Sequence, residues 1–326
     1  MPRADFLKLP GANRLVLGCA PIGGLYAPVE EGEAAATLAQ AWSQGVRAFD
    51  TAPLYGVGLS EERLGKFIAT HPRHEVLLSS KVGRVLADPV DEVAGVEGFF
   101  GTPPRVARVD YSRDGVRRSI EQSCARLGVD HLDIALVHDP VHDPEVALKE
   151  SYPALEELRT EGVVTAIGVG ALDVGVLERY CLETEIDCIL VAARYSLLDA
   201  SAAERLFPLC LERSVAVLAA GVYNSGVLAD PRPGAPFNYR PVPPQLLERV
   251  LLARQVCQRY GVALPHAAVQ YVLAHPAVTA VVIGARSPRE VQENAQYVGS
   301  TVPSDLFAEL DAQGLLPGGG RIPGVE

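Results

Sequence analysis

The sequence predicts an α/β protein, a closed (β/α)8 TIM barrel with long loops at the carboxyl-terminal face of its strands. Short, continuous apolar runs alternate with segments of helical periodicity, which is the pattern of a parallel sheet buried on both faces. Eight such units fit within the 326 residues, which we assign to one domain covering residues 1–326. No Gly-x-Gly-x-x-Gly turn follows an early strand, and its absence disfavours a doubly wound nucleotide-binding sheet.

Each predicted strand is a short apolar run that precedes a helical segment. The strands cover residues 15–18, 46–49, 76–80, 133–137, 163–169, 187–191, 215–219 and 278–283. The helices cover residues 31–44, 60–70, 112–127, 144–160, 173–183, 201–212, 245–274 and 287–298, with a break near Gly261. A hairpin-like stretch from Phe6 to Leu9, with a turn at residues 11–13, precedes the first strand.

Three segments fall outside the repeated units, namely residues 84–111, 230–244 and 315–326. Long loops in a compact domain are commonly functional, and the first two segments follow strands, at the face where barrel active sites are built. We therefore expect them to form walls of a substrate pocket. The aromatic candidates for these walls are Phe99, Tyr111, Phe237 and Tyr239.

Composition excludes several classes of protein. The chain has 29 basic and 40 acidic residues, so its net charge of −11 disfavours nucleic-acid or anionic-membrane partners. The six cysteines are scattered without C-x-x-C or Cys/His ligand spacing, which favours reduced thiols in the cytoplasm over a disulfide framework or a zinc site. No apolar run approaches the roughly 20 residues of a membrane span, and no signal-peptide pattern is visible.

Four polar side chains follow the second, third and fourth predicted strands. Asp50 ends the second strand and Tyr55 lies on the loop after it, while Lys81 and His138 follow the third and fourth. Each alone is typical of a turn, a helix cap or a solvated strand end. Because the carboxyl ends of parallel strands share one rim of a barrel, the four together predict an active site.

The four residue types suit proton transfer. A buried ammonium group at Lys81 would stabilise the phenolate of Tyr55 and lower its pKa, and Asp50 would keep the lysine charged. Tyr55 could then exchange a proton with a substrate oxygen, with His138 orienting or sharing that proton. Neither a nucleophile–base pair nor a metal-binding carboxylate cluster is apparent, so the missing reactant is most simply a hydride carrier.

The motifs resemble those of the aldo-keto reductase superfamily over nearly the whole chain. They are Phe49-Asp50-Thr51-Ala52-x-x-Tyr55-Gly56, the strand-end Lys81, Leu136-Val137-His138, and Val282-Ile283-Gly284 followed by Glu293-Asn294. The resemblance implies a barrel that binds NAD or NADP in extended form. It also implies a catalytic tetrad of Asp50, Tyr55, Lys81 and His138, with Tyr55 as general acid and base.

The resemblance further implies a set of cofactor contacts. Near the nicotinamide these are Gly18, Cys19, Ala20 and Asp50. Along the pyrophosphate they are Asn224, Ser225 and Gly226, and at the adenosine Gly284, Arg286, Ser287 and Asn294. Tyr195 either contacts the nicotinamide ring or only packs at the rim, and Cys19 is expected to approach the cofactor closely enough for alkylation to inhibit.

Some positions depart from the usual pattern of the superfamily. Gly170-Ala171 replaces a common Ser-Asn pair, Ala192 a glutamine, and Ala220 a tyrosine that stacks on nicotinamide. Glu290 stands where NADP-preferring members often have a basic residue. It would repel a 2′-phosphate, although Arg286 and Arg289 could still bind one. The prediction is a slight preference for NAD over NADP.

A narrower resemblance is to the aldose 1-dehydrogenase branch. It rests on residues 221–228, Phe237-Asn238-Tyr239, Gly101-Thr102-Pro103-Pro104 and residues 136–140. It implies oxidation of the C1 hydroxyl of a free aldose, of the L-fucose, D-threo-aldose or L-galactose type, to the lactone. Alternatives within the superfamily are oxidation of pyridoxal and general aldehyde or ketone reduction.

Two hypotheses that assign the chain to other classes of protein are also considered. One is a non-catalytic, cofactor-binding regulatory subunit, which the complete tetrad disfavours. The other is a metal-dependent barrel hydrolase, which would need several ligands at strand ends, where His138 is the one histidine. His142 lies near the active rim and is more typical of a loop residue. The expected partner is a small sugar, with no nucleic acid and no membrane.

Overall fold

A computed structural model of the chain describes residues 14–90, 94–238 and 240–318. The expected hairpin at residues 6–13, the candidate wall residue Tyr239 and residues 319–326 of the tail lie outside the described residues.

Twelve strands and twelve helices are found in the described residues, numbered in chain order. The strands are β1 (Leu15–Gly18), β2 (Ala48–Asp50), β3 (Leu77–Val82), β4 (Arg84–Ala87), β5 (Val106–Val109), β6 (Leu132–His138), β7 (Val164–Ala171), β8 (Cys188–Ala192), β9 (Ala216–Ala220), β10 (Pro236–Phe237), β11 (Arg240–Pro241) and β12 (Val278–Gly284). The helices are α1 (Glu31–Ser43), α2 (Leu59–Ile68), α3 (Arg113–Leu127), α4 (Pro144–Val146), α5 (Tyr152–Thr160), α6 (Val174–Glu183), α7 (Ser201–Glu204), α8 (Leu206–Arg213), α9 (Pro244–Arg259), α10 (Leu264–Leu273), α11 (Pro288–Gly299) and α12 (Ser304–Ala312).

Eight of the strands close into a parallel barrel in the order β1-β12-β9-β8-β7-β6-β3-β2. These are the eight strands that the sequence predicts, and the (β/α)8 fold is confirmed. Continuous apolar runs form the strands because one face packs into the barrel and the other packs under the helices.

The alternation of side chains along each strand determines which residues reach the mouth of the barrel. A small cluster fills the interior, including Val16, Ala48, Leu77 and Leu136. A larger cluster lies between the sheet and the helices. Because successive strand residues point to opposite faces, residues two or four positions beyond an interior residue face the axis as well. The polar strand ends of the next subsection follow this rule.

The long connections contain more regular structure than the sequence predicts. Strands β4 and β5 pair as an antiparallel hairpin within residues 84–111, and β10 pairs with β11 within residues 230–244. The helix predicted at 144–160 is interrupted by a π-helical turn over residues 147–151. Helix α12, which the eight-unit pattern did not require, forms because Leu306, Phe307 and Leu310 bury one face against the core.

None of the helices in the described ranges is long and apolar enough to span a membrane.

Candidate active site

Strand periodicity brings the predicted tetrad together at one mouth of the barrel. Asp50 lies two residues beyond the interior residue Ala48, Lys81 four beyond Leu77, and His138 two beyond Leu136. All three therefore point toward the axis, and the loop after β2 brings Tyr55 back over them. The four side chains line one cavity.

Asp50 and Lys81 form a buried ion pair. Lys81 Nζ donates to Asp50 Oδ1 at 2.5 Å and to the Thr51 carbonyl oxygen at 2.9 Å, and Ser79 Oγ donates to Asp50 Oδ2 at 2.8 Å. The two charged side chains are only 1% and 3% exposed. Burial alone would lower the pKa of Lys81, but the Asp50 carboxylate outweighs it and raises that pKa above the ordinary lysine value. The expected charged lysine is confirmed.

Tyr55 lies between the lysine, the histidine and an aromatic wall. Lys81 Nζ is 4.7 Å from the centroid of the Tyr55 ring and interacts with its hydroxyl group. The ring centroid of His138 is 5.9 Å away in a perpendicular arrangement, and the ring of Phe99 stacks at 6.0 Å. Phe99 is thus a wall of the site, as predicted.

The expected lowering of the pKa of Tyr55 is wrong for this structure. Burial raises the pKa of the phenol, and Asp50 and Asp139 raise it further, while Lys81 only partly opposes them. The sequence shows the neighbouring lysine but not the depth of burial. Tyr55 therefore keeps its proton at neutral pH and is poised as a general acid.

His138 is a neutral imidazole. Burial, Lys81 and Arg84 together hold its pKa well below the usual range of histidine. Its Nδ1 atom is buried and has no hydrogen-bond partner among the described residues. A neutral ring can still donate one hydrogen bond to a substrate oxygen, so it suits the orienting role better than the proton-sharing role.

Tyr111 supports the site from beneath and is not a pocket wall. Its side chain is buried, and its hydroxyl group donates to the carbonyl oxygens of His138 at 2.9 Å and Asp139 at 2.8 Å. Arg84 Nη1 donates to the same hydroxyl at 2.7 Å. The expected wall position is wrong because the β4–β5 hairpin carries Tyr111 back under β6, a long-range contact without a local sequence signal.

The cavity has a volume of about 970 Å³ and runs from the tetrad to the start of α11. Eight of the predicted cofactor contacts line it: Gly18, Ala20, Asp50, Ser225, Gly226, Gly284, Arg286 and Asn294. The two long connections also supply walls, as predicted. They contribute Val96, Glu97, Phe99, Asp230, Arg232, Ala235, Pro236 and Asn238. Phe237 instead packs against the core.

Four predicted contacts do not line the cavity. The side chain of Cys19 belongs to the core between sheet and helices, and its thiol donates to the Leu17 carbonyl oxygen at 3.6 Å. Burial also raises the pKa of that thiol. The approach of Cys19 to a cofactor stays a prediction, and its side chain points away from the cavity. Tyr195 packs among Phe207, Tyr271 and His275, outside the barrel wall.

The other two predicted cofactor contacts that do not line the cavity are Asn224 and Ser287. Ser287 caps helix α11, with its Oγ accepting from the Glu290 backbone N–H at 3.3 Å. Asn224 is buried beside the cavity wall, and neither its Oδ1 nor its Nδ2 has a partner among the described residues.

Sequence reasoning assigned no role to three residues that line the cavity. Asp139 directly follows His138 and belongs to the motif at residues 136–140. That position is the sequence feature that could have predicted its place in the site. Tyr26, on the loop after β1, hydrogen-bonds Ser225 on the loop after β9. The Tyr223 hydroxyl donates to Asn294 Oδ1 at 2.7 Å. The two tyrosine contacts join elements that are distant in sequence, two loops in the first case and a loop with helix α11 in the second.

No group of three or more His, Cys, Asp or Glu side chains in the described part of the chain could hold a metal ion. His142 is exposed on the loop after β6 and does not line the cavity.

The barrel, with Asp50, Tyr55, Lys81 and His138 together at one mouth, agrees with the class that the sequence motifs predict, an oxidoreductase. Residues 14–314 match the Aldo/keto reductase family, and the chain belongs to that family. It is similar to D-threo-aldose 1-dehydrogenase from Pseudomonas sp, with 40% identity over 92% of this chain and 93% of the relative. It is also similar to pyridoxal 4-dehydrogenase from Microbacterium luteolum, with 35% identity over 93% and 94% of the two chains.

A solved structure of another aldo-keto reductase has the same fold. The holo form of an aldo-keto reductase from Bacillus halodurans superposes with a TM-score of 0.75 at 27% identity, covering 95% of this chain and 96% of that one. Aldo-keto reductases use NAD(P)H as cofactor.

The residues around the cavity fit such a cofactor. The wall next to His138, at the ends of β7, β8 and β9, includes the small residues Gly170, Ala171, Ala192 and Ala220, which leave room for a flat ring against the strand ends. Farther along, Asn224, Ser225 and Gly226 all have positive φ, of 47°, 61° and 111°. Together with the unpartnered amide of Asn224, this turn offers polar groups to a pyrophosphate.

Proposed function

We propose that the protein is an NAD(P)-dependent dehydrogenase that oxidises the C1 hydroxyl of a free aldose to the lactone, with Tyr55 as general acid and base. The observation that carries the proposal is the buried Asp50–Lys81 pair beside Tyr55 and His138 at the mouth of a long cavity. The aldose specificity is supported by the relative of 40% identity that acts as a D-threo-aldose 1-dehydrogenase.

The residues of the chain handle the proton. In the oxidation the Tyr55 phenolate takes the proton of the C1 hydroxyl, and the charged Lys81 stabilises that phenolate. Asp50 holds the lysine in place and charged. Neutral His138 donates a hydrogen bond to the reacting oxygen and so fixes its position relative to Tyr55. Bound NAD or NADP would supply the hydride acceptor.

Different parts of the cavity would hold the cofactor. The small residues at the ends of β7, β8 and β9 would face the nicotinamide, Asn224 to Gly226 the pyrophosphate, and Arg286 with Asn294 the adenosine.

We also propose that NAD is preferred over NADP. Glu290 Oε2 accepts from the Arg286 backbone N–H at 3.0 Å, and its Oε1 lies 4.0 Å from Arg286 Nε. Arg289 is bound in turn by Glu293, with Nε 2.8 Å from Oε1. Both arginines available for a 2′-phosphate are thus already engaged by carboxylates, which would repel it.

A second candidate is oxidation of pyridoxal. Phe99, whose ring stacks near Tyr55, offers a surface for a flat aromatic substrate. The similarity to pyridoxal 4-dehydrogenase supports the same alternative.

The test is the absorbance of reduced nicotinamide with purified protein, NAD or NADP, and a panel of D-arabinose, L-fucose, L-galactose and pyridoxal. Reduction of NAD by the sugars is the expected result. Turnover of pyridoxal alone would replace the aldose by the second candidate. No turnover of any compound, with cofactor binding intact, would contradict the proposal and favour a non-catalytic subunit.

A further inference from the structure

Asp139 lies in the cavity directly beside the catalytic cluster. It follows His138 at the end of β6, and its half-buried side chain lines the cavity. Its backbone N–H donates to the Gly170 carbonyl oxygen at 2.8 Å, and its φ is 41°. In this left-handed conformation the chain departs from the strand, and the side chain of Asp139 lines the cavity.

One oxygen of this carboxylate is available. Oδ1 accepts from the Leu172 backbone N–H at 3.2 Å, while Oδ2 has no hydrogen bond to any of the described residues. Burial raises the pKa of the Asp139 carboxyl group above its ordinary value, and the Leu172 N–H, Arg84 and Lys81 oppose that rise only in part. Lys81 is bound to Asp50, and Arg84 donates to Gly83 and Tyr111, so neither forms a salt bridge with Asp139.

The backbone that carries this carboxylate is tied to the backbone of His138. The Tyr111 hydroxyl group binds the carbonyl oxygens of both His138 and Asp139, which ties the two residues into one unit. A substrate whose reacting oxygen bound His138 would extend toward the next residue, Asp139, which lines the same cavity.

We propose that Asp139 Oδ2 accepts a hydrogen bond from the hydroxyl group on the carbon adjacent to the reacting carbon, and so selects 2-hydroxy substrates. This inference rests on the proposed function and deepens it. The other charged groups on this side of the cavity agree with a neutral polyol. Glu97 and Asp230 are acidic, and Arg232 is bound to Asp230 at 2.7 Å. A phosphorylated or carboxylated substrate would meet repulsion here.

The experiment compares pairs of substrates that differ only in that hydroxyl group. D-Arabinose and 2-deoxy-D-ribose form the pair for oxidation, and glycolaldehyde and acetaldehyde the pair for reduction with NADH. The variant is Asp139→Asn, because asparagine tolerates the left-handed φ and keeps an oxygen for the Leu172 N–H. The matched control is Asp230→Asn, a second carboxylate of the same cavity.

We expect the wild-type protein to prefer the 2-hydroxy member of each pair by about 10- to 100-fold in kcat/KM, as for hydrogen bonds to charged groups. Asp139→Asn should reduce this ratio by about tenfold, mainly by slowing the 2-hydroxy member. Asp230→Asn should change kcat/KM for both members of a pair by the same factor, so the preference for the 2-hydroxy member should stay as in the wild type.

The outcomes separate this inference from the proposed function. If Asp139→Asn lowers kcat/KM equally for both members of a pair, the role of Asp139 is overturned while aldose oxidation stands. The same conclusion follows if the wild-type protein does not prefer the 2-hydroxy member. An Asp139-dependent preference for glycolaldehyde, without oxidation of any sugar, would support Asp139 and overturn aldose oxidation. Absence of turnover in both directions would overturn both.

Discussion

The two sides of the barrel mouth are built from opposite chemistry. The ends of β2, β3 and β6 carry Asp50, Lys81 and His138, which are polar or charged and buried, and short hydrogen bonds fix Asp50 and Lys81. The ends of β7, β8 and β9 carry glycine and alanine at the positions that line the cavity. The comparison teaches how the proposed function would divide the site: the first side would handle the proton, and the second would provide space for a planar cofactor. Each can therefore be disabled without the other.

The largest expected effect is on the polar side. Tyr55→Phe keeps the ring and removes the hydroxyl group, so oxidation of the substrate should fall by about 10³-fold or more in kcat, the upper part of the range for general acid–base catalysis. The affinity for NADH, measured by fluorescence titration, should change less than about threefold. Retained activity would show that another group moves the proton.

A smaller effect is expected from filling the space on the apolar side. A Cβ at Gly170 would meet Leu190 Cβ at 3.4 Å, an ordinary contact, so Gly170→Ala should be tolerated. Gly170→Leu extends into the cavity and should weaken NADH binding by about tenfold or more, as overpacking does elsewhere. If the leucine variant binds NADH like the alanine control, the cofactor does not lie against this wall.

The smallest effect is at the far end of the cavity. Glu290→Gln removes the charge next to Arg286 and should raise kcat/KM for NADP relative to NAD by about five- to tenfold. Glu293→Gln should raise the same ratio by a smaller factor, because its carboxylate binds Arg289, whose side chain is 86% exposed. An unchanged ratio in Glu290→Gln would show that this residue does not set the preference.

The sequence predicts the polar side better than the rest of the site. Asp50, Lys81 and His138 are ordinary strand ends, where the period of two and the shared rim determine position. The same period would have placed Cys19 on the outer face, since it follows Gly18 by one residue. Tyr195 and Asp139 lie beyond strand ends, where positive φ at Ala193 and Asp139 breaks the period and local sequence no longer predicts direction.

Long-range contacts and burial could not be predicted from local pattern. Tyr111 reaches His138 through a hairpin whose strands each have four residues and weak alternation. The pKa of Tyr55 depends on how deeply the ring is buried, which the neighbouring Lys81 does not reveal. Helix α12 follows the eighth unit, so the repeat gave no reason to expect it.

The pH dependence of the two reaction directions tests the role of Tyr55 most directly. Because its pKa is raised, the proton-accepting phenolate is scarce at neutral pH. Sugar oxidation at saturating NAD should therefore rise about tenfold per pH unit from roughly pH 7 toward pH 10, the ordinary pKa of tyrosine. Aldehyde reduction should stay level over this range, and Tyr55→Phe should lose the rise. A plateau of the oxidation rate already near neutral pH, in the wild-type protein, would contradict a protonated Tyr55 as the proton-transfer group.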